Sequence, residues 1–405
     1  MNHPNLEAGL TPFDEPIDRR ASDSLKWNRY PPDVLPMWIA DMDFRAPEPI
    51  MASLERRVAH GVFGYSDRAA ELGSAIAEHI SGRWGWQVSP DAVVPLPGVI
   101  SGFNVAARMV AAPWAGILLP TPVYPPMLRV HSNLGMRLDP CRLRREADGR
   151  YAMDVDLLRA ASRDTTRLLL LCNPQNPTGR VFAQQELDSA AELCLRYDLL
   201  ICSDEIHGDL VYPGSRHIPI ASLAPEVARR TITLVAPSKA YNVPGLACAA
   251  AVICDPSLRR RFLAAAMDLV PDVNLLGLAA GAAAYRHGAD WLAACLSYLE
   301  RNRDILTAFV RAHLPGMSVY PAEGTYLAWL DCRSLNLAEG PYRFFLRYAR
   351  VALGDGEAFG EDGAGFVRLN FACRRGLLVK ALESIRAALV EYGAGTGVPG
   401  DSRQG

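Results

Sequence analysis

Short runs of consecutive apolar residues recur along this chain, and each run ends in a turn rich in proline, glycine or polar residues. Residues 93–94, 117–119 and 168–171 are three of these runs. Uninterrupted runs of this kind are typical of strands buried on both faces of a parallel sheet. Between them lie helical patterns, such as residues 184–196, whose apolar side chains fall on one face. This alternation predicts parallel βαβ units with functional loops at the carboxyl ends of the strands.

The pattern changes in the last third of the chain. A long amphipathic stretch, residues 291–312, predicts a helix, and the apolar segments 326–330 and 366–370 each predict a strand. These elements indicate a smaller α+β domain. The first forty residues have no strong period and are expected to wrap onto it.

The length of the chain favours a division into two domains. With 405 residues and a mass of 44.2 kDa, it exceeds the size at which one hydrophobic core keeps growing. We predict a large domain over residues 44–288 and a small domain formed by residues 1–43 and 289–393. Residues 394–405, rich in glycine and polar side chains, are predicted to form a disordered tail.

Composition and charge exclude several classes of partner. The formal net charge is −2 and 21% of the residues are charged, which gives no sign of a basic surface for nucleic acid or anionic lipid. No apolar run reaches the roughly 18 residues of a membrane span, and His, Cys, Asp and Glu show no metal-ligand spacing. The nine cysteines lack a Cys-x-x-Cys pair, which is typical of buried free thiols in a reducing compartment. We therefore expect a cytoplasmic protein whose partners are small molecules.

Two strand ends carry the most informative residues of the chain. Asp204 ends the apolar run 199–203, and Lys239 follows the apolar run 231–235. A buried lysine is costly to keep charged because desolvation disfavours its ammonium form, and a neutral amine there can hold an aldehyde as a Schiff base. Pyridoxal phosphate (PLP) is the obvious aldehyde. A nearby aspartate would keep its pyridine nitrogen protonated, so that the ring acts as an electron sink.

A third strand end carries an amide. The motif NPQNPTG, residues 173–179, follows the run 168–171, and from there an asparagine side chain could reach the phenolic oxygen of the same ring. Taken alone, the motif also fits a simple proline-rich turn. Together with Asp204 and Lys239 it completes the set of amide, carboxylate and amine that a PLP site requires.

Five motifs give the chain a resemblance to a known family. It resembles the fold-type I PLP enzymes of the class I and II aminotransferase superfamily, and more closely the MalY/PatB-type cystathionine β-lyases (C–S lyases). The similarity runs from about residue 18 to residue 386, and it implies a mainly parallel seven-stranded sheet and a cis Asn176–Pro177 bond. The motifs are WIADMDF (38–44), GVFGY (61–65), PQNPTG (174–179), SDEIH (203–207) and GFVRLN (365–370).

The resemblance implies a role for each residue around the cofactor ring. Lys239 would form the Schiff base and then move protons at the substrate's α-carbon. Asp204 would pair with the pyridine nitrogen, Asn176 would bond to the phenolic oxygen, and Tyr124 would stack on the ring face. Lys239, Tyr124 and, from a partner subunit, Tyr65 are thus the predicted catalytic residues.

The cofactor's phosphate would lie at the start of a helix, where backbone N–H groups and the helix dipole favour an anion. The amides of Gly98, Val99 and Ile100 are the candidates, with the Ser238 hydroxyl as a further donor. Tyr65 would reach the phosphate from the neighbouring subunit. The resemblance therefore implies a homodimer with a shared active site.

The substrate's carboxylate has a predicted partner in Arg368. This residue lies in an apolar strand, where an unpaired guanidinium would be costly and a carboxylate could be held by both arms of its fork. A structural ion pair with a glutamate is the alternative. The resemblance adds Asn176, Asp41 and Trp38 as substrate contacts. It also makes His207 a contact of the cofactor ring, with a histidine packed in the core as the alternative.

Several positions depart from the pattern of these relatives. Ala236 stands three positions before the lysine, where many relatives have Ser or Thr, so the phosphate site is expected to depend more on backbone amides. The loop 267–274 is unlike the small polar loop expected for cystathionine cleavage, and it is expected to lie near the substrate side chain. Glu205 and Asp209 are predicted to face solvent or the domain interface.

These observations lead to one expected function and two rivals. The expected protein is a homodimeric PLP-dependent C–S lyase that converts an S-substituted L-cysteine, such as cystathionine or a larger S-conjugate, into a thiol, pyruvate and ammonia. The first rival is an aminotransferase or a decarboxylating PLP enzyme that acts on an S-conjugated amino acid in natural-product biosynthesis. The second is a regulator that binds a transcription factor or another protein, although no exposed basic or hydrophobic motif supports it.

Overall fold

The polypeptide forms two main β-sheets connected by helices. A computed structural model describes residues 11–395. In chain order, the strands are β1 Leu35–Pro36, β2 Val93–Leu96, β3 Gly116–Thr121, β4 Arg137–Arg142, β5 Arg144–Arg145, β6 Tyr151–Ala152, β7 Thr166–Cys172, β8 Leu200–Asp204, β9 Thr231–Val235, β10 Ala249–Val252, β11 Ser318–Val319, β12 Leu327–Asp331, β13 Val351–Ala352, β14 Gly354–Asp355 and β15 Phe366–Asn370.

Helices carry much of the remaining chain. The predicted helices 184–196 and 291–312 are both confirmed, and the second is slightly longer at each end. In chain order, the helices are α1 Leu25–Asn28, α2 Glu48–His60, α3 Ala69–Trp84, α4 Val99–Arg108, α5 Pro125–Asn133, α6 Val155–Ala161, α7 Gln184–Arg196, α8 Pro225–Ala228, α9 Pro237–Ala240, α10 Pro256–Ala266, α11 Leu275–His287, α12 Ala289–His313, α13 Pro341–Phe344 and α14 Arg375–Gly395.

The larger sheet has seven strands in the order β2-β10-β9-β8-β7-β3-β4. All of them run parallel except β10, which is antiparallel to both of its neighbours. This arrangement confirms the predicted mainly parallel seven-stranded sheet. Because β7, β8 and β9 are adjacent and parallel, their carboxyl ends meet at one edge, where Asp204 pairs in register with Cys172 and Leu234.

A glycine brings α4 close to this sheet. A Cβ atom on Gly102 would lie 2.5 Å from the Leu234 side chain and 3.0 Å from that of Leu96. A larger residue would therefore force α4 away from β9 and β2. The close approach fixes the first turn of α4 beside the carboxyl ends of the central strands.

The smaller sheet is antiparallel, with the order β11-β12-β15-β14. The N-terminal segment is attached to this part of the molecule. Strand β1 pairs in parallel with β13, and the backbone N–H of Asn370 donates to the Met37 carbonyl at 2.9 Å. Residues 35–37 therefore lie against this part of the molecule, as the predicted wrapping of the N-terminal segment requires.

The predicted domain limits remain a prediction. The seven-stranded sheet lies within residues 44–288 and the four-stranded sheet within residues 289–393. The predicted tail begins at residue 394, but α14 continues to Gly395, and residues 396–405 lie outside the described residues.

Two further expectations concern membranes and cysteines. Within residues 11–395 no helix combines the length and the apolar character needed to cross a membrane. All nine cysteines are free thiols, and all except the partly exposed Cys254 are buried. The prediction of buried free thiols is therefore confirmed.

Candidate active site

A cavity of about 500 Å³ lies at the carboxyl ends of β7, β8 and β9. The N-terminal segment lines one side of it with Ile39 and Ala40, and the first residues of α4 line another. The cavity collects most of the predicted site residues, although they come from distant parts of the chain. These are Lys239, Asp204, Asn176, Tyr124, His207, Gly98, Val99, Ile100, Ser238, Arg368 and Asp41.

Lys239 lies on the short helix α9, which directly follows β9. Its Nζ donates a hydrogen bond to the carbonyl oxygen of Ala40 at 2.7 Å. Burial, assisted by the charge of Arg368 and opposed by those of Asp41 and Asp204, lowers the pKa of this lysine from 10.5 to about 8. A substantial fraction of the amine is therefore neutral near pH 8, as the sequence predicted from desolvation.

Asp204 is the last residue of β8 and is 2% exposed. One carboxylate oxygen, Oδ1, accepts a hydrogen bond from the Ile206 N–H at 3.2 Å. Burial raises the pKa of this carboxyl to about 7, and the charge of Glu205 adds to the shift. No ion pair to Asp204 occurs within residues 11–395, so a cation that enters the cavity would meet an uncompensated carboxylate.

His207 and Tyr124 add two aromatic groups to the lining. His207 is buried, and its Nδ1 has no hydrogen-bond partner among the described residues. Burial, with the charges of Lys239 and Arg368, lowers the pKa of this histidine to about 3, so the ring is neutral at physiological pH. Burial raises the pKa of the Tyr124 hydroxyl, which is therefore also neutral.

Arg368 lies on β15 and is buried without an acidic partner among residues 11–395. Nη1 donates to Asn176 Oδ1 at 2.9 Å, Nη2 donates to the Trp38 carbonyl at 2.8 Å, and Nε has no partner there. The alternative of a structural Arg–Glu pair is therefore wrong. Burial lowers the pKa of Arg368 to about 10, and the side chain remains a buried cation with two neutral partners.

Trp38 reaches the site through its backbone rather than its side chain. Its indole N–H donates to the carbonyl of Lys26 at 3.2 Å, and its ring packs edge-on against Tyr30. The residue is absent from the cavity lining. The carbonyl of Trp38 holds Arg368, and a contact between the Trp38 side chain and substrate stays a prediction.

Asn176 is held by the turn that follows β7, and the predicted cis Asn176–Pro177 bond is present. Gln175 braces this turn: its Oε1 accepts from the N–H of Thr178 at 2.9 Å, and its amide nitrogen donates to the Pro122 carbonyl. With Oδ1 bonded to Arg368, the Nδ2 of Asn176 has no protein partner within residues 11–395. It is free to donate to a ligand in the cavity.

The first turn of α4 supplies backbone donors to the cavity. The N–H groups of the first residues of a helix have no intrahelical acceptor, and here they include those of Val99 and Ile100, with Gly98 as the N-cap. Ser238 is 9% exposed, and its hydroxyl has no partner among the described residues. These neutral donors would suit an anion, in contrast to the carboxylate of Asp204.

Tyr65 does not line the cavity of its own chain. It is fully exposed and lies in a separate surface cleft formed by residues 63–66 and 272–276. The loop 267–274, expected beside the substrate, contributes to this cleft and not to the cavity. The loop leads into α11 on the side of the molecule that carries Tyr65, and its place beside the substrate stays a prediction.

Two acidic residues that follow β8 are buried. Glu205 and Asp209 are 1% and 5% exposed, so they do not face solvent, while the alternative of the domain interface stays a prediction. Glu205 Oε2 lies 2.8 Å from His217 Nε2, and Asp209 Oδ1 lies 2.8 Å from His79 Nε2. Hydrogen bonds satisfy these buried carboxylates. Glu205 also accepts from the Ser203 hydroxyl of its own motif at 2.9 Å, His217 lies 12 residues further along the chain, and His79 comes from the distant helix α3.

Two cations of the N-terminal segment, which no sequence pattern indicated, lie beside Asp41. Arg19 Nη2 bonds to Asp41 Oδ2 at 2.9 Å, and the fully buried Lys26 Nζ lies 3.6 Å from Asp41 Oδ1 and 2.9 Å from Asp43 Oδ2. Asp41, predicted as a substrate contact, does line the cavity, but its charge is largely balanced by these neighbours. No hydrophobic period marks this segment, so only the motif at Asp41 drew attention to it.

The chain matches a known sequence family over most of its length. The profile of the family described as Aminotransferase class I and II matches residues 32–385. This chain belongs to that family. Its sheet order and its cavity at the carboxyl ends of the strands are therefore those of a family member, and the predicted fold class is confirmed.

Individual relatives agree with this assignment. The cystathionine β-lyase PatB of Bacillus subtilis (strain 168) is 35% identical over 385 residues, which are 93% of this chain and 99% of PatB. The crystal structure of OvoB is 43% identical, with a TM-score of 0.89 over 93% of this chain and 98% of that one. The PLP-bound C–S lyase from Staphylococcus hominis is 30% identical, with a TM-score of 0.87 over 95% and 99% of the two chains. The predicted resemblance to the MalY/PatB branch is confirmed.

Proposed function

We propose that this protein is a PLP-dependent C–S β-lyase. It cleaves the Cβ–S bond of an S-substituted L-cysteine, of the cystathionine type or with a larger sulfur substituent, and forms a thiol, pyruvate and ammonia. The observation that carries the proposal is a single cavity shared by the amine of Lys239, the carboxyl of Asp204 and the guanidinium of Arg368, which has no acidic partner in the described part of the chain. The relative from B. subtilis is named a cystathionine β-lyase and that from S. hominis a PLP-bound C–S lyase, which supports the same reaction here.

The residues of the cavity fit both the pyridine ring and the phosphate of PLP. Among the described residues Asp204 has no cationic partner and Asn176 Nδ2 has no acceptor. Asp204 is expected to hold the pyridine nitrogen and Asn176 Nδ2 to donate to the phenolic oxygen. The first turn of α4 and the Ser238 hydroxyl offer donors to the phosphate. Tyr124 and His207, both neutral, are expected to contact the ring. When bound, PLP supplies an electron sink that stabilises negative charge at the substrate's α-carbon.

Arg368 is expected to bind the α-carboxylate of the substrate. Its guanidinium is buried, and its two partners, Asn176 Oδ1 and the Trp38 carbonyl, leave the positive charge uncompensated. A carboxylate would provide the missing charge and accept a charge-assisted hydrogen bond. The amino acid is then held with its α-carbon in the cavity that contains Lys239.

Lys239 is the expected base. Its amine, with a pKa of about 8, accepts the proton from the substrate's α-carbon. Loss of that proton allows the electrons of the Cβ–S bond to leave with the sulfur, and the ammonium of Lys239 can return its proton to the departing thiolate. Water then converts the remaining three-carbon fragment into pyruvate and ammonia.

The proposed enzyme is a cytoplasmic homodimer whose subunits share their active sites. Val62, Phe63 and Tyr65 are all exposed on one segment, and an exposed apolar cluster is typical of a protein interface. Tyr65 of one subunit would reach the phosphate site of the other. The loop 267–274, which lies next to Tyr65, would then border the partner's cavity.

Trapping the cofactor on Lys239 tests the proposal. The purified protein saturated with PLP should be yellow, and borohydride reduction should leave the mass of the reduced cofactor on the peptide that contains Lys239. Lys239→Arg should carry no label, whereas Lys380→Arg, at an exposed position, should be labelled like the wild type. A wild-type protein that acquires no covalent label would contradict the proposal.

A further inference from the structure

Four consecutive carbonyl groups of the N-terminal segment accept hydrogen bonds from side chains that are distant in sequence. We name residues 38–41 the carbonyl strap. The carbonyl of Trp38 accepts from Arg368, those of Ile39 and Asp41 both accept from Asn370, and that of Ala40 accepts from Lys239 and Tyr326.

Asn370 fixes the strap on both sides of Ala40. Its Nδ2 donates to the carbonyls of Ile39 and Asp41, at 2.7 Å each. Asn242, from the loop after Lys239, holds the next residues: its Oδ1 accepts from the Met42 N–H at 2.9 Å and its Nδ2 donates to the Met42 carbonyl at 3.0 Å. These hydrogen bonds therefore fix the orientation of the Ala40 carbonyl.

The oxygen of Ala40 serves two donors at once. Lys239 Nζ lies 2.7 Å from it and Tyr326 Oη lies 3.0 Å from it. A carbonyl oxygen has two lone pairs, and these two hydrogen bonds occupy both of them. Tyr326 is 1% exposed, and burial raises the pKa of its hydroxyl well above the usual value, so that it remains a donor throughout the working pH range.

The backbone before Tyr326 is strained, and the strain is held in place. Thr325 is buried and has a φ of +68°, a conformation in which a β-branched residue is an outlier. Its N–H donates to the Leu210 carbonyl at 2.7 Å, and its own carbonyl accepts from Tyr212 Oη at 2.7 Å. Such enforced strain clusters at functional sites, and here it sets the direction in which the chain enters Tyr326.

We propose that Tyr326 is a positioning residue for Lys239. Its hydroxyl holds the Ala40 carbonyl in the position where this oxygen accepts a hydrogen bond from the free lysine amine. Because the hydroxyl also occupies one lone pair of that oxygen, the oxygen stabilises the ammonium form of Lys239 less, and the amine stays reactive. The inference rests on the proposed function, because a free Lys239 amine is the base of that reaction. It adds a residue that no sequence motif indicated.

Removing the Tyr326 hydroxyl takes away no charge near Lys239, because this hydroxyl is neutral in the working pH range. Arg368, Asp41 and Asp204 act on the lysine through their charges, and neutral His207 faces Tyr326 at a ring separation of 6.2 Å. In Tyr326→Phe the Ala40 oxygen loses one of its two described donors, keeps the bond from Lys239, and stabilises the ammonium form of this lysine more strongly. The apparent pKa of Lys239 should therefore rise.

Competitive acetylation measures this pKa on the unmodified amine. The chain contains only three lysines, 26, 239 and 380, so peptide mass spectrometry resolves each of them. The full-length protein is freed of carbonyl cofactor with hydroxylamine and exposed to a trace of acetic anhydride between pH 6 and 11, with the exposed Lys380 as the internal reference. We expect the Lys239 midpoint to rise by about half a pH unit in Tyr326→Phe, a fraction of one hydrogen bond.

Tyr298→Phe is the matched control. Tyr298 is also buried, and its hydroxyl bonds to Asp14 and to the Arg375 N–H, away from Lys239. This variant should lose comparable thermal stability and leave the Lys239 midpoint unchanged. If Tyr326→Phe does not fold, Tyr212→Phe, which frees the Thr325 carbonyl, should produce a smaller shift in the same direction.

A Lys239 midpoint in folded Tyr326→Phe that equals the wild-type value, or falls below it, would overturn the proposal and leave Tyr326 a structural residue. The titration involves neither substrate nor turnover. An enzyme that proves to be an aminotransferase would therefore still give the expected shift, and a missing shift would not count against the lyase reaction.

Discussion

Replacing Asp204 by asparagine should stabilise the protein without cofactor and destabilise the protein with cofactor. Asp204 is 2% exposed, has no ion-pair partner within residues 11–395, and its pKa is raised by burial from 3.8 to about 7. A rise of about three units corresponds to a penalty on the order of 4 kcal/mol for ionising this carboxyl in the folded chain. Asparagine has the same shape and no charge, so it avoids that penalty.

The pH range of the effect follows from the direction of the shift. The folded chain holds the Asp204 proton more tightly than the unfolded chain does. The stability of the wild type relative to Asp204→Asn is therefore highest below about pH 4, falls as the pH rises from about 4 to about 7, and stays at its lowest level above about pH 7. Because a buried amide without partners has its own cost, we expect a gain of roughly 2–4 kcal/mol for the variant at pH 8 and little difference at pH 4.

Urea denaturation of the cofactor-free proteins at pH 4, 6 and 8 measures this difference. Asp156→Asn, which changes an exposed carboxyl on α6, is the control and should show no such trend. With PLP bound, the order should reverse, because the wild-type carboxylate gains a pyridinium partner that asparagine cannot supply. If Asp204→Asn is less stable than the wild type at pH 8 without cofactor, the carboxyl is not the uncompensated buried charge described here.

Two other predictions concern the substrate and the partner subunit. Arg368→Ala should reduce kcat/KM by the equivalent of about 2–5 kcal/mol through substrate binding, with PLP affinity nearly unchanged by equilibrium dialysis; near-normal kcat/KM would make the arginine structural. Tyr65→Ala and Lys239→Ala should each be inactive alone but regain part of the activity when mixed, unfolded and refolded together, because a mixed dimer contains one intact site. Mixtures as inactive as the separate variants would show that Tyr65 does not act across subunits.

The strand-end residues of the site were accessible from sequence because their signal is local. Asp204 ends one apolar run and Lys239 follows another within four residues, and parallel strands bring such ends to one edge of a sheet. The confirmed seven-stranded sheet follows from the same runs together with the family resemblance. Arg368 was found in a similar way, since a lone arginine in an apolar strand calls for a specific partner.

The carbonyl strap and its hydrogen-bond partners could not be predicted from local sequence patterns. Trp38 and Asp41 were identified through a shared motif and assigned to the substrate, whereas Trp38 acts through its carbonyl and Asp41 is paired with Arg19. Glu205 was expected to face solvent or the domain interface, since a glutamate is rarely buried, and its partner His217 gives no pattern that a period would detect. Hydrogen bonds between distant segments depend on the assembled fold, and no local propensity encodes them.

The central claim is tested most directly by the products of one reaction. The PLP-saturated enzyme is incubated with L-cystathionine and with cysteine S-conjugates of increasing size, without any keto acid, and mass spectrometry follows pyruvate, free thiol, keto acids and carbon dioxide. A good thiolate leaves before the cofactor can be protonated, so we predict equal amounts of thiol and pyruvate over many turnovers, with the cofactor's absorption spectrum restored after each cycle. Accumulation of pyridoxamine phosphate, with turnover only when a keto acid is added, would show an aminotransferase instead, and release of carbon dioxide would show a decarboxylating enzyme.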